Sequence, residues 1–206
     1  EKTLKGQGDA LSKLVEKGKS AFAGTELAGK TLGIIGYGRI GRQVAKIAHA
    51  FDMNVIVNTR TAKQDSSVKF VGLKELLSKS DIITLHCPLT DETNGLIDLD
   101  ALKLCKPSAI IINTSRGAVI NEADLAYALE NDIIAGAGLD VLCEEPMSAD
   151  NPLLNAKNCI ITPHIAWAPI DTRKRLITIV ADNLSAFING KPINTGDFYV
   201  QDNDCR

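Results

Sequence analysis

An apolar run, Leu32-Gly33-Ile34-Ile35, ends in Gly36-Tyr37-Gly38-Arg39-Ile40-Gly41, and a helical pattern follows at once. Gly36 permits a tight turn straight out of a strand. Gly38 lets a ligand approach bare backbone, and Gly41 lets the next helix pack close to the strand. The helix start then points its unpaired N–H groups and the positive end of its dipole at the turn, which suits a diphosphate. Three glycines alone are a weak signal. With a strand before and a helix after them, they predict a dinucleotide site.

The rest of the chain supplies the fold such a turn needs. Apolar strands are expected at 31–35, 53–58, 81–86, 108–113, 133–141 and 158–162. Helical patterns lie between them at 39–51, 72–79, 97–105 and 121–130, and a long one spans 169–189 up to Gly190 and Pro192. Ile40, Val44, Ile47, Ala48 and Phe51 are expected on one face of the first of these helices. Asn121 is a good cap for the helix it precedes, with Glu122 and Asp124 in the first turn. Strands rich in Val and Ile that alternate with helices predict an α/β fold: a Rossmann-type doubly wound parallel sheet with helices on both faces.

The expected organisation is a helical segment or linker at 1–23, with Leu11, Leu14 and Val15 at helical spacing over 9–18. A dinucleotide-binding domain at 24–168, a C-terminal return helix at 169–193 and a tail at 194–206 follow.

A net charge of −2 on 206 residues gives no electrostatic reason to expect a nucleic-acid or membrane partner. No apolar run approaches a membrane span. The five cysteines are scattered without a C-x-x-C pair, which reads as free thiols in a reducing cytoplasm and predicts no metal site.

In such sheets ligands bind beyond the C-terminal strand ends, and this chain places unusual residues there. After the glycines come Asn58-Thr59-Arg60, His86-Cys87-Pro88-Leu89-Thr90, Thr114-Ser115-Arg116-Gly117, Asp140 and Pro163-His164. Arg116 offers a planar, permanent cation suited to an oxo acid. His164 can exchange a proton near neutral pH, and Glu145 is the type of partner that orients an imidazole. His49 reads as structural.

Five ordered motifs carry a resemblance: the glycine turn; Ser80-Asp81 with Leu85-His86-Cys87-Pro88-Leu89-Thr90; Ile112-Asn113-Thr114-Ser115-Arg116-Gly117; Gly136-Ala137-Gly138-Leu139-Asp140-Val141 with Glu145-Pro146; and Pro163-His164-Ile165-Ala166-Trp167. From about Gly24 to Ile193 the chain resembles the cofactor-binding domain of the D-isomer-specific 2-hydroxyacid dehydrogenases. The run His164-Ile165-Ala166-Trp167-Ala168 is most similar to the glycerate dehydrogenase (hydroxypyruvate reductase) branch.

The resemblance implies hydride transfer between NAD(P)H and a small 2-oxo or D-2-hydroxy acid, with Arg116, Glu145 and His164 as the catalytic residues. It implies cofactor contacts at Gly36, Gly38, Arg39, Ile40, Gly41, Asn58, Thr59, Arg60, His86, Cys87, Pro88, Thr93, Thr114, Ser115, Asp140 and Ala166. Asp140 would accept a bond from the nicotinamide carboxamide, and His86 would serve mainly as scaffolding. Trp167 would either wall the substrate pocket or pack a domain joint. It also implies a homodimer, and a substrate-binding domain that is largely missing from this chain, so that the chain alone would bind dinucleotide but turn over oxo acids poorly. An NAD(H)-sensing module like the family's transcriptional corepressors is the alternative, and formate or phosphite oxidation is a third.

One departure bears on the coenzyme. An acidic residue usually stands about twenty positions after the glycines, to bind the ribose 2′-hydroxyl. Here Thr59 stands there, between Asn58 and Arg60, with Lys63 nearby. The expectation is NADP tolerance, with Arg60 available to a 2′-phosphate.

Overall fold

The computed structural model describes residues 24–61 and 65–195. The helix expected at 9–18, Lys63 and the tail from residue 196 on lie outside them. The elements run β1 (Thr31–Ile35), α1 (Arg39–Ala50), β2 (Asn54–Asn58), β3 (Lys69–Phe70), α2 (Leu73–Lys79), β4 (Ile82–Leu85) and α3 (Leu99–Lys103). β5 (Ile110–Asn113), α4 (Glu122–Glu130), β6 (Gly136–Leu139), β7 (Cys159–Ile161) and α5 (Ile170–Ile188) follow.

All strand pairs are parallel, in the order β3-β2-β1-β4-β5-β6-β7. The order reverses at β1, whose neighbours are β2 and β4. A crevice opens there because the connections leave on opposite sides. The chain therefore forms the expected Rossmann-type sheet, with strands trimmed by one to three residues at their ends. The expected helix at 97–105 shortens to α3, because Asp98 caps it by accepting a bond from the Ala101 N–H and Ile97 instead bridges to Ile120.

Side chains alternate across the sheet and build two cores. Leu32, Ile34, Val55 and Val57 point to one face, where Ala45 and Ala48 of α1 cover them. Ile35, Ile83, Leu85 and Ile111 point to the other face and meet Leu76, Leu102, Leu125 and Leu129. Helices thus flank both faces, but among the described residues the α1 side is covered only over β1–β2, and Ile110 and Ile160 stand exposed farther along it.

The seam of α1 corrects one expectation. Its buried positions are Gly41, Ala45 and Ala48, while Ile40, Ile47 and Phe51 are exposed. A helix held this close to its strand by Gly41 favours small side chains at the contact, with Val44 half-buried at its edge, so Ile40, Ile47 and Phe51 turn outward. The long helix α5 forms as its periodicity predicts, yet none of its residues is buried.

Candidate active site

The glycine turn is built by three different steric demands. Gly36 has φ +94°, and a Cβ there would lie 2.5 Å from the His86 carbonyl oxygen. A Cβ on Gly41 would lie 2.3 Å from the Gly36 carbonyl oxygen. Both glycines are required by the chain itself. Gly38 is different: a Cβ there meets nothing within 4 Å. Gly38 is also the N-cap of α1, with no side chain capping the helix and no acidic residue in its first turn. Open space above a bare backbone at an uncapped helix start fits a diphosphate.

A cavity of about 480 Å³ extends from this turn, with the β1 turn in its floor. One wall is Asn58, Thr59, Arg60 and Thr61 after β2. The other includes His86, Cys87, Pro88 and Thr93 after β4. Several of these residues have work inside the chain. The Asn58 Nδ2 donates to the Val71 carbonyl at 3.0 Å. Thr93 Oγ1 donates to the Pro88 carbonyl at 2.7 Å and accepts from the Thr90 N–H at 2.8 Å, which shapes the loop. His86 Nε2 lies 3.0 Å from Thr84 Oγ1, and burial lowers its pKa, so it is neutral at pH 7.

The second constellation lies beyond β5, β6 and β7. His164 Nδ1 is 2.7 Å from Glu145 Oε2, and Glu145 Oε1 accepts from the Leu142 N–H at 3.0 Å. The hydrogen bond with His164, then that from Leu142, holds the Glu145 carboxyl below its ordinary range. His164 has φ +51°, a left-handed conformation uncommon outside glycine. Asp140 holds it there. Asp140 Oδ1 accepts from the Ile165 N–H at 2.9 Å, Oδ2 accepts from the Ala166 N–H at 2.8 Å, and Thr162 Oγ1 donates to Oδ1 as well. Burial pushes the Asp140 carboxyl upward, but these bonds more than reverse the effect. Three of a carboxylate's roughly four acceptor positions are therefore engaged within the chain.

Arg116 stands on the neighbouring loop, exposed, with its guanidinium donating to the Ser115 carbonyl at 2.7 Å. Buried Asn113 folds that loop. Its Oδ1 accepts from the Ser115 N–H and hydroxyl, and its Nδ2 donates to the Arg116 carbonyl. The loop packs backbone to backbone on the segment carrying Glu145, since a Cβ on Gly117 would lie 1.9 Å from the Leu142 carbonyl carbon. Glu122 clamps the same segment by accepting from the Cys143 N–H at 2.6 Å and from Asn151 Nδ2 at 2.8 Å. Asp140, Glu145 and His164 line a cavity of about 640 Å³ that Arg116 does not line. Thr114 and Trp167 are exposed, and Ala166 enters the site through its backbone N–H.

Sequence reasoning gave no role to Asn113 or Glu92, and read Glu122 only as a first-turn residue of its helix. Asn113 is a polar residue closing an apolar strand, and Glu122 is the first residue of a capped helix; both signals were present. Glu92 lines the glycine-turn cavity from the β4 side. Among the described residues no group of three or more His, Cys, Asp or Glu is placed to hold a metal ion, and no helix is long and apolar enough to cross a membrane.

Comparison with known proteins finds relatives over most of the chain. The family described as "D-isomer specific 2-hydroxyacid dehydrogenase, NAD binding domain" matches residues 4–166. The chain is 51% identical over 172 residues to a hydroxypyruvate reductase of Blautia hydrogenotrophica, covering 82% of this chain and 53% of that protein. It is 46% identical over 172 residues to a glyoxylate reductase of Aeropyrum pernix, covering 82% and 51%. Among solved structures it matches an acyclic imino acid reductase (Bsp5) in complex with NADPH and D-Arg. That match has a TM-score of 0.78 at 36% identity, covering 89% of this chain and 60% of that one. The chain spans about half the length of the curated relatives it matches.

Proposed function

The chain belongs to the D-isomer specific 2-hydroxyacid dehydrogenase family, and on that premise we propose that it is the coenzyme-binding and proton-handling part of an oxidoreductase. It interconverts a small 2-oxo acid and the matching 2-hydroxy acid, the D-isomer where C2 is a stereocentre, with hydroxypyruvate and glyoxylate as the leading substrates. The observation that carries this reading is the His164–Glu145 pair at 2.7 Å, set on a sheet whose switch point carries an open glycine cradle.

The coenzyme supplies or accepts the hydride. The chain's own residues do the rest. Residues 24–168 form the dinucleotide-binding unit. Gly38 and the start of α1 receive the diphosphate, and Arg39 and Ile40 open the helix beside it. The walls at Asn58–Arg60 and His86–Pro88 enclose the adenosine. Asp140 keeps about one acceptor position for the carboxamide. Arg116 holds the oxo acid by its carboxylate and carbonyl oxygens. His164 Nε2 gives the proton to the carbonyl oxygen in reduction and takes it back in oxidation, while Glu145 fixes the ring through Nδ1. Both nicotinamide coenzymes suit the crevice, because the residues that line it from β2 (Asn58, Thr59, Arg60 and Thr61) include no carboxylate, Asp65 being bonded to Tyr37 instead, and Arg60 carries a planar fork suited to a 2′-phosphate. The exposed apolar side chains of α1 and α5 suit a homodimer, and the free cysteines suit a reducing cytoplasm.

The test has two steps. Calorimetric titration of the chain with NADH and NADPH should give saturable binding. Hydroxypyruvate- or glyoxylate-dependent oxidation of the bound coenzyme should then fall by about 10²–10⁴-fold in His164→Asn, the usual contribution of a positioned acid. Absence of binding to either coenzyme would overturn the reading.

A further inference from the structure

The glycine-turn crevice has walls of opposite charge. The chain leaving β2 brings Arg60 to one wall, and the loop leaving β4 brings Glu92 to the other; both line the same cavity. β2 and β4 flank β1 on its two sides, so these walls face each other across Gly36 and Gly38. Glu92 is held in place. Its Oε2 accepts from Thr90 Oγ1 at 2.6 Å, on a loop that Thr93 ties at both ends. The Thr90 hydroxyl is the largest influence keeping the Glu92 carboxyl below its ordinary range, and the positive charge of Arg60 adds to it. The carboxylate is thus ionised at neutral pH and within electrostatic reach of Arg60.

We propose that Glu92 is a specificity-determining residue for the coenzyme: from the β4 wall it offsets Arg60 and disfavours a phosphate on the adenosine ribose. This rests on reading the crevice as a dinucleotide site. In that reading Thr59 stands at the end of β2 where a carboxylate is usual, and Asp65 farther on is bonded to Tyr37 and does not line the crevice. The chain supplies a carboxylate from the opposite wall. A ribose with a free 2′-hydroxyl brings no charge to this rim. A 2′-phosphate brings between one and two negative charges near neutral pH. Arg60 attracts that phosphate with a planar fork. Glu92 repels it and competes with it for Arg60. The balance of the two side chains then sets how far NADP is accepted.

The same balance predicts a signature in a double-mutant cycle. Part of the effect of Glu92 acts through Arg60 and must vanish when Arg60 is removed. The experiment is calorimetric titration of the full chain with NAD⁺ and NADP⁺, and with 5′-AMP and 2′,5′-ADP as fragments, at low and moderate salt. In Glu92→Gln the ratio of the two dinucleotide Kd values should move about tenfold toward NADP⁺, and the fragments should follow. Arg60→Ala should move the ratio the other way. In the double variant the Glu92→Gln effect should shrink, and added salt should weaken all of these shifts. Glu92→Asp, which keeps the charge, should stay on the wild-type side. Circular dichroism confirms folding of each variant, and the exposed position of Glu92 keeps the substitution out of the core. A Glu92→Gln ratio within about twofold of wild type, with NAD⁺ still bound, overturns the proposal and leaves the dinucleotide reading standing. Failure of the wild-type chain to bind either dinucleotide overturns both.

Discussion

At the switch point the chain makes room by leaving side chains out, whereas beyond β6 it fixes groups by putting carboxylates in. Gly36, Gly38 and Gly41 shape the first region through steric absence. Asp140, Glu122 and Glu145 shape the second through hydrogen bonds to backbone N–H groups and to one imidazole. The first region should fail when an atom is added, the second when an acceptor is removed. A cradle that receives a ligand needs empty, rigid space. A group that moves a proton needs its orientation dictated by partners.

The largest expected effect separates two glycines of one motif. Gly36→Ala places a Cβ 2.5 Å from a backbone oxygen at φ +94°. It should destabilise by several kcal/mol, beyond the ~1–3 kcal/mol of backbone strain alone. Gly38→Ala should leave thermal stability within about 1 kcal/mol, yet abolish detectable binding of NADH. Equal melting temperatures for the two variants would break the contrast.

At the other end, Asp140→Asn should cost about 2–3 kcal/mol, because it exchanges charge-assisted bonds for weaker ones and leaves the Ile165 or Ala166 N–H facing an amine. Urea unfolding measures it. A loss below about 0.5 kcal/mol would mean the turn carrying His164 holds itself.

Acidification probes the same carboxylates together. Asp140 and Glu145 have folded pKa values below their ordinary ones, so the unfolded chain binds more protons and stability rises with pH. Their contribution is complete above the unfolded values of about 4 and is lost as pH falls below that through the folded values. Melting temperature followed from pH 7 down to about 3 should drop less steeply in the Asp140→Asn, Glu145→Gln double variant. Parallel curves would remove these groups from the account. The smallest effect belongs to the crevice wall. Thr93→Val deletes the hydroxyl that bridges the Pro88 carbonyl and the Thr90 N–H, and should cost about 1 kcal/mol, with a several-fold weaker Kd for NADH.

Much of this was legible in the sequence, for identifiable reasons. Strands buried on both sides write themselves as runs of Val and Ile, and glycines that prevent collisions cannot be replaced by anything else. The order of the strand-end motifs therefore puts Gly36–Gly41, Arg116 and His164 just beyond the C-terminal strand ends, and the structure brings Glu145 to His164 there. What escaped depended on direction. Apolar periodicity put Ile40, Ile47 and Phe51 inward on α1, but the distance set by Gly41 selected the alanines. Asp140 stands at a strand end as expected, yet three of its acceptor positions turn to its own chain, which only the fold of 162–166 reveals. Glu92 carries no signal along the chain, because the usual ribose carboxylate follows β2, whereas proximity in a parallel sheet also runs sideways, from β2 across β1 to β4.

The left-handed backbone at His164 has a further consequence. A glycine would adopt φ +51° without the ~1 kcal/mol or more that an L-residue gives up there. His164→Gly should therefore relax that backbone while deleting the imidazole, so the residue best suited to the local conformation is one that can do no chemistry. If His164 carries the proton as proposed, relief of the main chain and loss of proton transfer would come together in this one substitution.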